Sequence, residues 1–205
     1  MIADGLVLPL GHYVGRFHPE PFAPASYHKV RLGREVLRLT DDTFAVWALS
    51  HGLRDRIGAG RWTRRALLDA ARGMPDPEKL LDWLIGDGLV AEVTPGSREA
   101  IHFAGTYRIQ PLMTGLGNTA AEPLRFSIGI LGQPPAVTVD AIGYELWQWG
   151  RLDPDLWQVA RRLVAVQDRV SPGRQTLPEE MLTGILERLP LLLAHNAAYL
   201  DLARG

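Results

Sequence analysis

Residues 29–42 read Lys-Val-Arg-Leu-Gly-Arg-Glu-Val-Leu-Arg-Leu-Thr-Asp-Asp, two short runs of alternating apolar and polar side chains joined at Gly33. Alternation puts one set of side chains on each face of a strand, so this pattern predicts a β-hairpin. Past Asp41-Asp42 the period lengthens. Thr43-Phe44-Ala45-Val46-Trp47-Ala48-Leu49 predicts a helix with an inward tryptophan, and Trp62-Thr63-Arg64-Arg65-Ala66-Leu67-Leu68 opens a second helix. A third is predicted from Pro77-Glu78. Proline there lacks an N–H that would find no partner, and the glutamate meets the positive end of the helix dipole. Leu80, Leu81, Trp83, Leu84 and Ile85 form its inward stripe, which stops at Gly86-Asp87-Gly88. Leu89–Val93 and Ala100-Ile101-His102-Phe103, separated by Thr94-Pro95-Gly96-Ser97, then predict a strand, a turn and a returning strand.

The same order returns later in the chain. Residues 127–140 are again two alternating runs, joined at Gly132, and pass through Asp140 into Gly143-Tyr144-Glu145-Leu146-Trp147-Gln148-Trp149. Phe44 matches Tyr144, Val46 matches Leu146 and Trp47 matches Trp147 at one offset. Trp157–Leu163 repeats the second helix, and Pro178-Glu179 repeats the start of the third. Repetition of a whole supersecondary unit predicts a tandem architecture. The expected fold is α+β, two winged-helix-like units, each a β-hairpin plus three helices. The first occupies residues 1–105 with an N-terminal strand segment, a linker covers 106–123, and the second occupies 124–205. The second copy is degenerate: residues 191–203 read as an extra helix, with Leu192, Leu193, Asn196, Tyr199 and Leu200 at helical spacings.

Composition narrows the function. The 205 residues carry a formal charge of -1, whereas nucleic-acid binders usually show a basic excess. Cysteine is absent, which removes disulfides, thiolate metal sites and cysteine nucleophiles, and fits a reducing cytosol. No basic leader segment opens the chain, and no apolar run reaches the roughly 18 residues that a membrane span needs. A cytoplasmic protein is expected, with no membrane partner.

Candidate chemistry is sparse. His12, His18, His28, His51, His102 and His195 are scattered, with no i, i+4 pair flanking a glutamate, so no metal site is expected. Gly115-Leu116-Gly117-Asn118 lacks the third glycine of a dinucleotide fingerprint and reads as linker. Asp41-Asp42 and Asp153-Pro154-Asp155 precede helices and read as caps. No serine has a nucleophile-elbow context. Neither catalysis nor a cofactor is expected.

The run Val36-Leu37-Arg38-Leu39-Thr40-Asp41-Asp42-Thr43-Phe44-Ala45-Val46-Trp47, followed by a second helix and a Pro-Glu third helix, resembles the PqqD-like proteins, or RiPP recognition elements. The resemblance spans residues 29–91 and recurs faintly over 126–189. It implies a bound leader peptide, added as a strand beside the hairpin, with side chains entering a groove lined by the third helix. The matching positions are Val36, Leu37, Arg38 and Leu39 on the strand and Lys79, Leu80 and Trp83 on the helix. Arg38 and Lys79 are the stronger ligand candidates, since neither belongs unpaired in a core.

Three functions follow. The first is a non-catalytic accessory protein that binds a peptide or protein partner, such as a modifying enzyme. The second is a winged-helix DNA-binding regulator contacting nucleic acid through Arg61, Arg64, Arg65, Arg98 and Arg108, although the third helix itself is acidic. The third is an assembly subunit, with homodimer contacts through the segment from Leu191 to Leu200.

Overall fold

Gly33 and Arg34 form a tight turn, with Gly33 at φ +58°, between β3 (Tyr27–Leu32) and β4 (Glu35–Leu39). A side chain is disfavoured at that φ, so the glycine sets the register, which runs antiparallel from Leu32↔Glu35 to His28↔Leu39. The computed structural model describes residues 5–21, 26–58, 60–170 and 176–204. β2 (His12–Phe17) pairs with the other side of β3, giving the sheet order β2-β3-β4.

Thr40 caps α1 (Asp41–Leu49) by accepting the Thr43 N–H at 3.2 Å. Asp41 and Asp42, expected as caps, lie instead in the first turn, where carboxylates meet the positive end of the dipole. α2 (Arg64–Ala70) follows, and α3 (Pro77–Gly86) starts at the expected proline. β5 (Val90–Val93) then pairs antiparallel with β1 (Leu6–Pro9).

A connecting helix, α4 (Arg98–Thr106), leads into the second half. There the order is β6 (Tyr107–Pro111), β7 (Thr114–Gly117), β8 (Phe126–Gly129), β9 (Val137–Val139), α5 (Ala141–Trp149), α6 (Leu156–Val170), α7 (Pro178–Ala194) and β10 (Ala198–Leu202). The sheets β7-β8-β9 and β6-β10 answer to β2-β3-β4 and β1-β5. The likeness extends to detail. The bulge between Tyr13 and Gly15 recurs between Gly115 and Gly117. Asp140 caps α5 through the Gly143 N–H at 2.9 Å, where Thr40 caps α1. α3 closes with Leu89 N–H on the Leu84 carbonyl at 2.8 Å and Gly88 at φ +70°. α7 closes with Ala197 N–H on the Leu192 carbonyl at 2.9 Å and Asn196 at φ +52°. The fold is thus mixed α+β, with seven α-helices and four small antiparallel sheets among the described residues.

Three expectations are corrected. The 106–123 segment is no plain linker, for it carries β6 and β7. The returning strand expected at 100–103 is part of α4: Ser97 accepts the Ala100 N–H at 3.2 Å, and Ala100, Phe103 and Ala104 are buried at helical spacing. The extra C-terminal helix does not form. α7 runs through Pro190 to Ala194, and the chain then returns as β10 against β6.

One continuous core serves both halves. It joins Leu8, Val30, Leu39, Trp47 and Leu84 to Ile109, Ile128, Trp147, Ile185 and Leu192. Among the described residues no helix is long and apolar enough to cross a membrane.

Candidate functional site

β4 ends its sheet, so one side of its backbone faces no other strand among the described residues. Val36 is 51% exposed there, and Arg38 is exposed with its guanidinium carbon 4.7 Å from the centre of the Tyr27 ring. Lys29, paired with Arg38 across the strands, lies 3.9 Å from the centre of Phe17. Two cations therefore sit side by side on the outer face, and no carboxylate forms an ion pair with either among the described residues. Like charges in that position repel, and only the aromatic faces offset this. Leu37 and Leu39 point the other way. Leu39 is 1% exposed and Leu37 packs half-buried on the core, so both belong to the core side of the strand.

On α3, Lys79 is exposed and pairs with Asp76 at 3.3 Å, Trp83 is 43% exposed, and Leu80 packs half-buried against the core. α1 packs against both α3 and the inner side of β3 and β4, so it separates the two expected contact surfaces.

The arginines proposed for nucleic acid are mostly neutralised. Arg61 pairs with Glu187 at 2.6 Å. Arg64 donates to Glu92 and Asp82, both at 2.9 Å, and its hydrogen bonds to Glu92 above all raise its pKa. Arg108 donates to the Leu202 carbonyl at 3.0 Å and lies 3.7 Å from the buried Asp201. Arg65 and Arg98 stay exposed on α2 and α4. The segment expected to dimerise is also spent internally: Leu192, Leu193, Ala197, Ala198 and Leu200 are all buried in the chain's own core.

Two features escaped the sequence. Tyr13 Oη lies 3.0 Å from His28 Nδ1, His28 Nε2 lies 3.0 Å from Asp41 Oδ1, and Arg16 donates to Asp41 Oδ2 at 3.1 Å. His28 is buried and stacks on Phe44, with ring centres 3.8 Å apart. In the second half, Phe126 stacks on Tyr144 at the corresponding place, 4.8 Å apart. Two stacked rings therefore suffice for packing, and the polar chain is an addition of the first half. The signal for it was a histidine at an inward position of an alternating strand.

The second feature is a cleft of about 540 Å³ where β2 and α1 meet the turn between α7 and β10. Tyr13, Phe44, Trp47, His51 and Tyr199 line it. His51 Nδ1 lies 3.2 Å from the carbonyls of both Trp47 and Ala48, so Nδ1 carries the proton. Burial pushes the His51 pKa down to about 4, against the two carbonyl bonds, and the imidazole is neutral at neutral pH. His12, whose ring is tilted against that of Tyr199 with centres 4.7 Å apart, likewise has its pKa lowered by burial and by nearby Arg31.

Compared with protein-family models, curated proteins and solved structures, the chain matches none of them.

Proposed function

We propose that the chain is a non-catalytic recognition protein, built from two winged-helix-like units, that takes an extended acidic peptide as an added strand beside β4. The observation that carries this reading is the β4 edge, unpaired among the described residues, with Arg38 and Lys29 on the outer face and no ion pair to either there. A peptide backbone satisfies the open N–H and C=O groups of such an edge, and its alternate side chains fall on the outer face of the sheet. Acidic side chains at those positions relieve the repulsion between the two cations. The resemblance to PqqD-like proteins supplies the peptide class, a leader segment of a ribosomally made precursor handed to a modifying enzyme. Trp83 and Lys79 on α3 lie on a separate face and contact the rest of the partner. Duplex DNA suits this surface less, because Arg61, Arg64 and Arg108 already have carboxylates beside them.

The test is to select binders from a displayed library of random linear peptides on the purified chain and measure the winners by calorimetry. Acidic peptides are expected to dominate, and Arg38→Glu should weaken them at least tenfold, about 1.4 kcal/mol. Arg38→Glu places a carboxylate opposite Lys29, so the fold itself is kept. Binders that are not acidic, or that ignore this substitution, would rule the reading out.

A further inference from the structure

The cleft between the halves is separate from the β4 edge and has a chemistry of its own. Its volume of about 540 Å³ falls in the range that holds small organic ligands. Its aromatic walls are held in place. Trp47 Nε1 donates to the Leu10 carbonyl at 3.1 Å, Tyr13 is tied to His28 at 3.0 Å, and the Tyr199 hydroxyl accepts from Arg31 at 3.0 Å. Rigid, flat walls favour a planar ligand, which loses little freedom on binding and stacks in offset or edge-on geometry.

The polar groups define the rest. His51 spends its Nδ1 proton on backbone carbonyls, and its Nε2 has no hydrogen-bond partner among the described residues, so it offers a lone pair. Arg54 makes one bond, from Nε to the Ala194 carbonyl at 3.3 Å, and forms no ion pair among the described residues. A cationic ligand would suit the aromatic walls but meets Arg54, so the charge balance selects an anion. His12 and His51 both line the cleft, but no group of three metal-ligating side chains occurs among the described residues.

The cleft is not a by-product of the fold. Gly115 stands where the first half has Tyr13, each being the last paired residue before the bulge. The Tyr144 hydroxyl lies against Gly115 where the first half carries the Tyr13 side chain, so the aromatic wall that Tyr13 gives the cleft is particular to the first half. At the cleft rim, Asn196 takes a left-handed conformation that the first half gives to Gly88. A side chain is disfavoured there, although asparagine tolerates it best, and its amide adds a donor and an acceptor at the mouth.

We propose that this cleft binds a small planar aromatic carboxylate. The ring lies among Tyr13, Phe44, Trp47 and Tyr199, the carboxylate meets Arg54, and an N–H or O–H of the ligand donates to His51 Nε2. Ligand and β4 peptide occupy different surfaces, so the two sites are independent.

Calorimetry of the full chain against 3-hydroxybenzoate, 4-hydroxybenzoate and indole-2-carboxylate, each planar with an O–H or N–H donor and each beside its neutral amide, tests this. At least one acid should bind, with its amide at least tenfold weaker. Arg54→Gln should bring the acid down to the level of the amide. Ala48→Phe fills the cleft from an exposed position of α1 and should abolish binding without lowering the melting temperature. Arg38→Glu should leave the acid's affinity unchanged. No binding by any of the three acids at millimolar concentration overturns the proposal, as does equal affinity of acid and amide. So does an Arg54→Gln protein that binds like the parent; Arg54 holds only one backbone carbonyl, so this variant folds even if Ala48→Phe does not.

Discussion

Asp201 Oδ1 accepts the Gly33 N–H at 2.7 Å, a bond between residues 168 apart in sequence. The same carboxylate accepts from Arg31 at 3.3 Å and lies 3.7 Å from Arg108, while being 2% exposed. It seats the end of β10 in the β3–β4 turn, so the hairpin that presents β4 is anchored by the other half of the molecule.

Removing that carboxylate leaves two partly buried guanidinium groups without compensation. Asp201→Ala should cost about 3–5 kcal/mol of unfolding free energy. Asp201→Asn keeps an acceptor for Gly33 and should cost less. Urea unfolding of the two variants checks the order. A loss below about 0.5 kcal/mol for Asp201→Ala, the scale of a neutral surface change, would show that the contact does not hold the halves together.

The two inward tryptophans offer a paired test. Trp47 Nε1 donates to the Leu10 carbonyl at 3.1 Å and Trp147 Nε1 to the Ala197 carbonyl at 2.9 Å. Trp47→Phe leaves the buried Leu10 carbonyl unpaired, a cost of about 1–3 kcal/mol before any packing loss, whereas Trp147→Phe should cost less, because the Ala197 carbonyl keeps the Leu112 N–H at 2.9 Å. Because one core serves both halves, each variant should still unfold in a single step, with fluorescence and circular dichroism midpoints coinciding. Two separated transitions would mean that the halves fold independently.

His51 makes stability acid-sensitive. Its folded pKa, about 4, lies below the ordinary 6.5, so the unfolded chain takes up the proton first as pH falls. Its contribution is complete above pH 6.5 and is lost progressively between pH 6.5 and about 4. Melting temperatures across that window should fall for the parent and fall less steeply for His51→Gln. Parallel slopes would place the imidazole in solvent in the folded state.

The hairpin at Gly33, α1 and the Pro77 start of α3 were legible because their signals are local: alternation, a turn glycine and a helix-start proline. β6 was not. Tyr107-Arg108-Ile109-Gln110-Pro111 does alternate, but Pro111, Gly115 and Gly117 read as breakers, and the partner that makes the segment a strand lies at 198–202. β10 was obscured by the helical spacing of Leu192, Leu193 and Asn196, and the left-handed Asn196 marks where that helix stops. At α4 the short apolar run suited either period, and Ser97 as a cap was the overlooked clue. Arg38 was singled out because an unpaired cation does not belong in a core, while Val36 came only from the resemblance; both lie exposed on β4. The cleft could not be found, since its walls come from β2, α1 and β10, brought together only by tertiary packing.

Strand addition at β4 is tested most directly by amide hydrogen exchange on the full chain, with and without a selected acidic peptide. Protection should rise across Glu35–Leu39 and vanish in the Arg38→Glu protein. Protection that appears on α2 or α3 with none at β4, or that survives Arg38→Glu, contradicts the account.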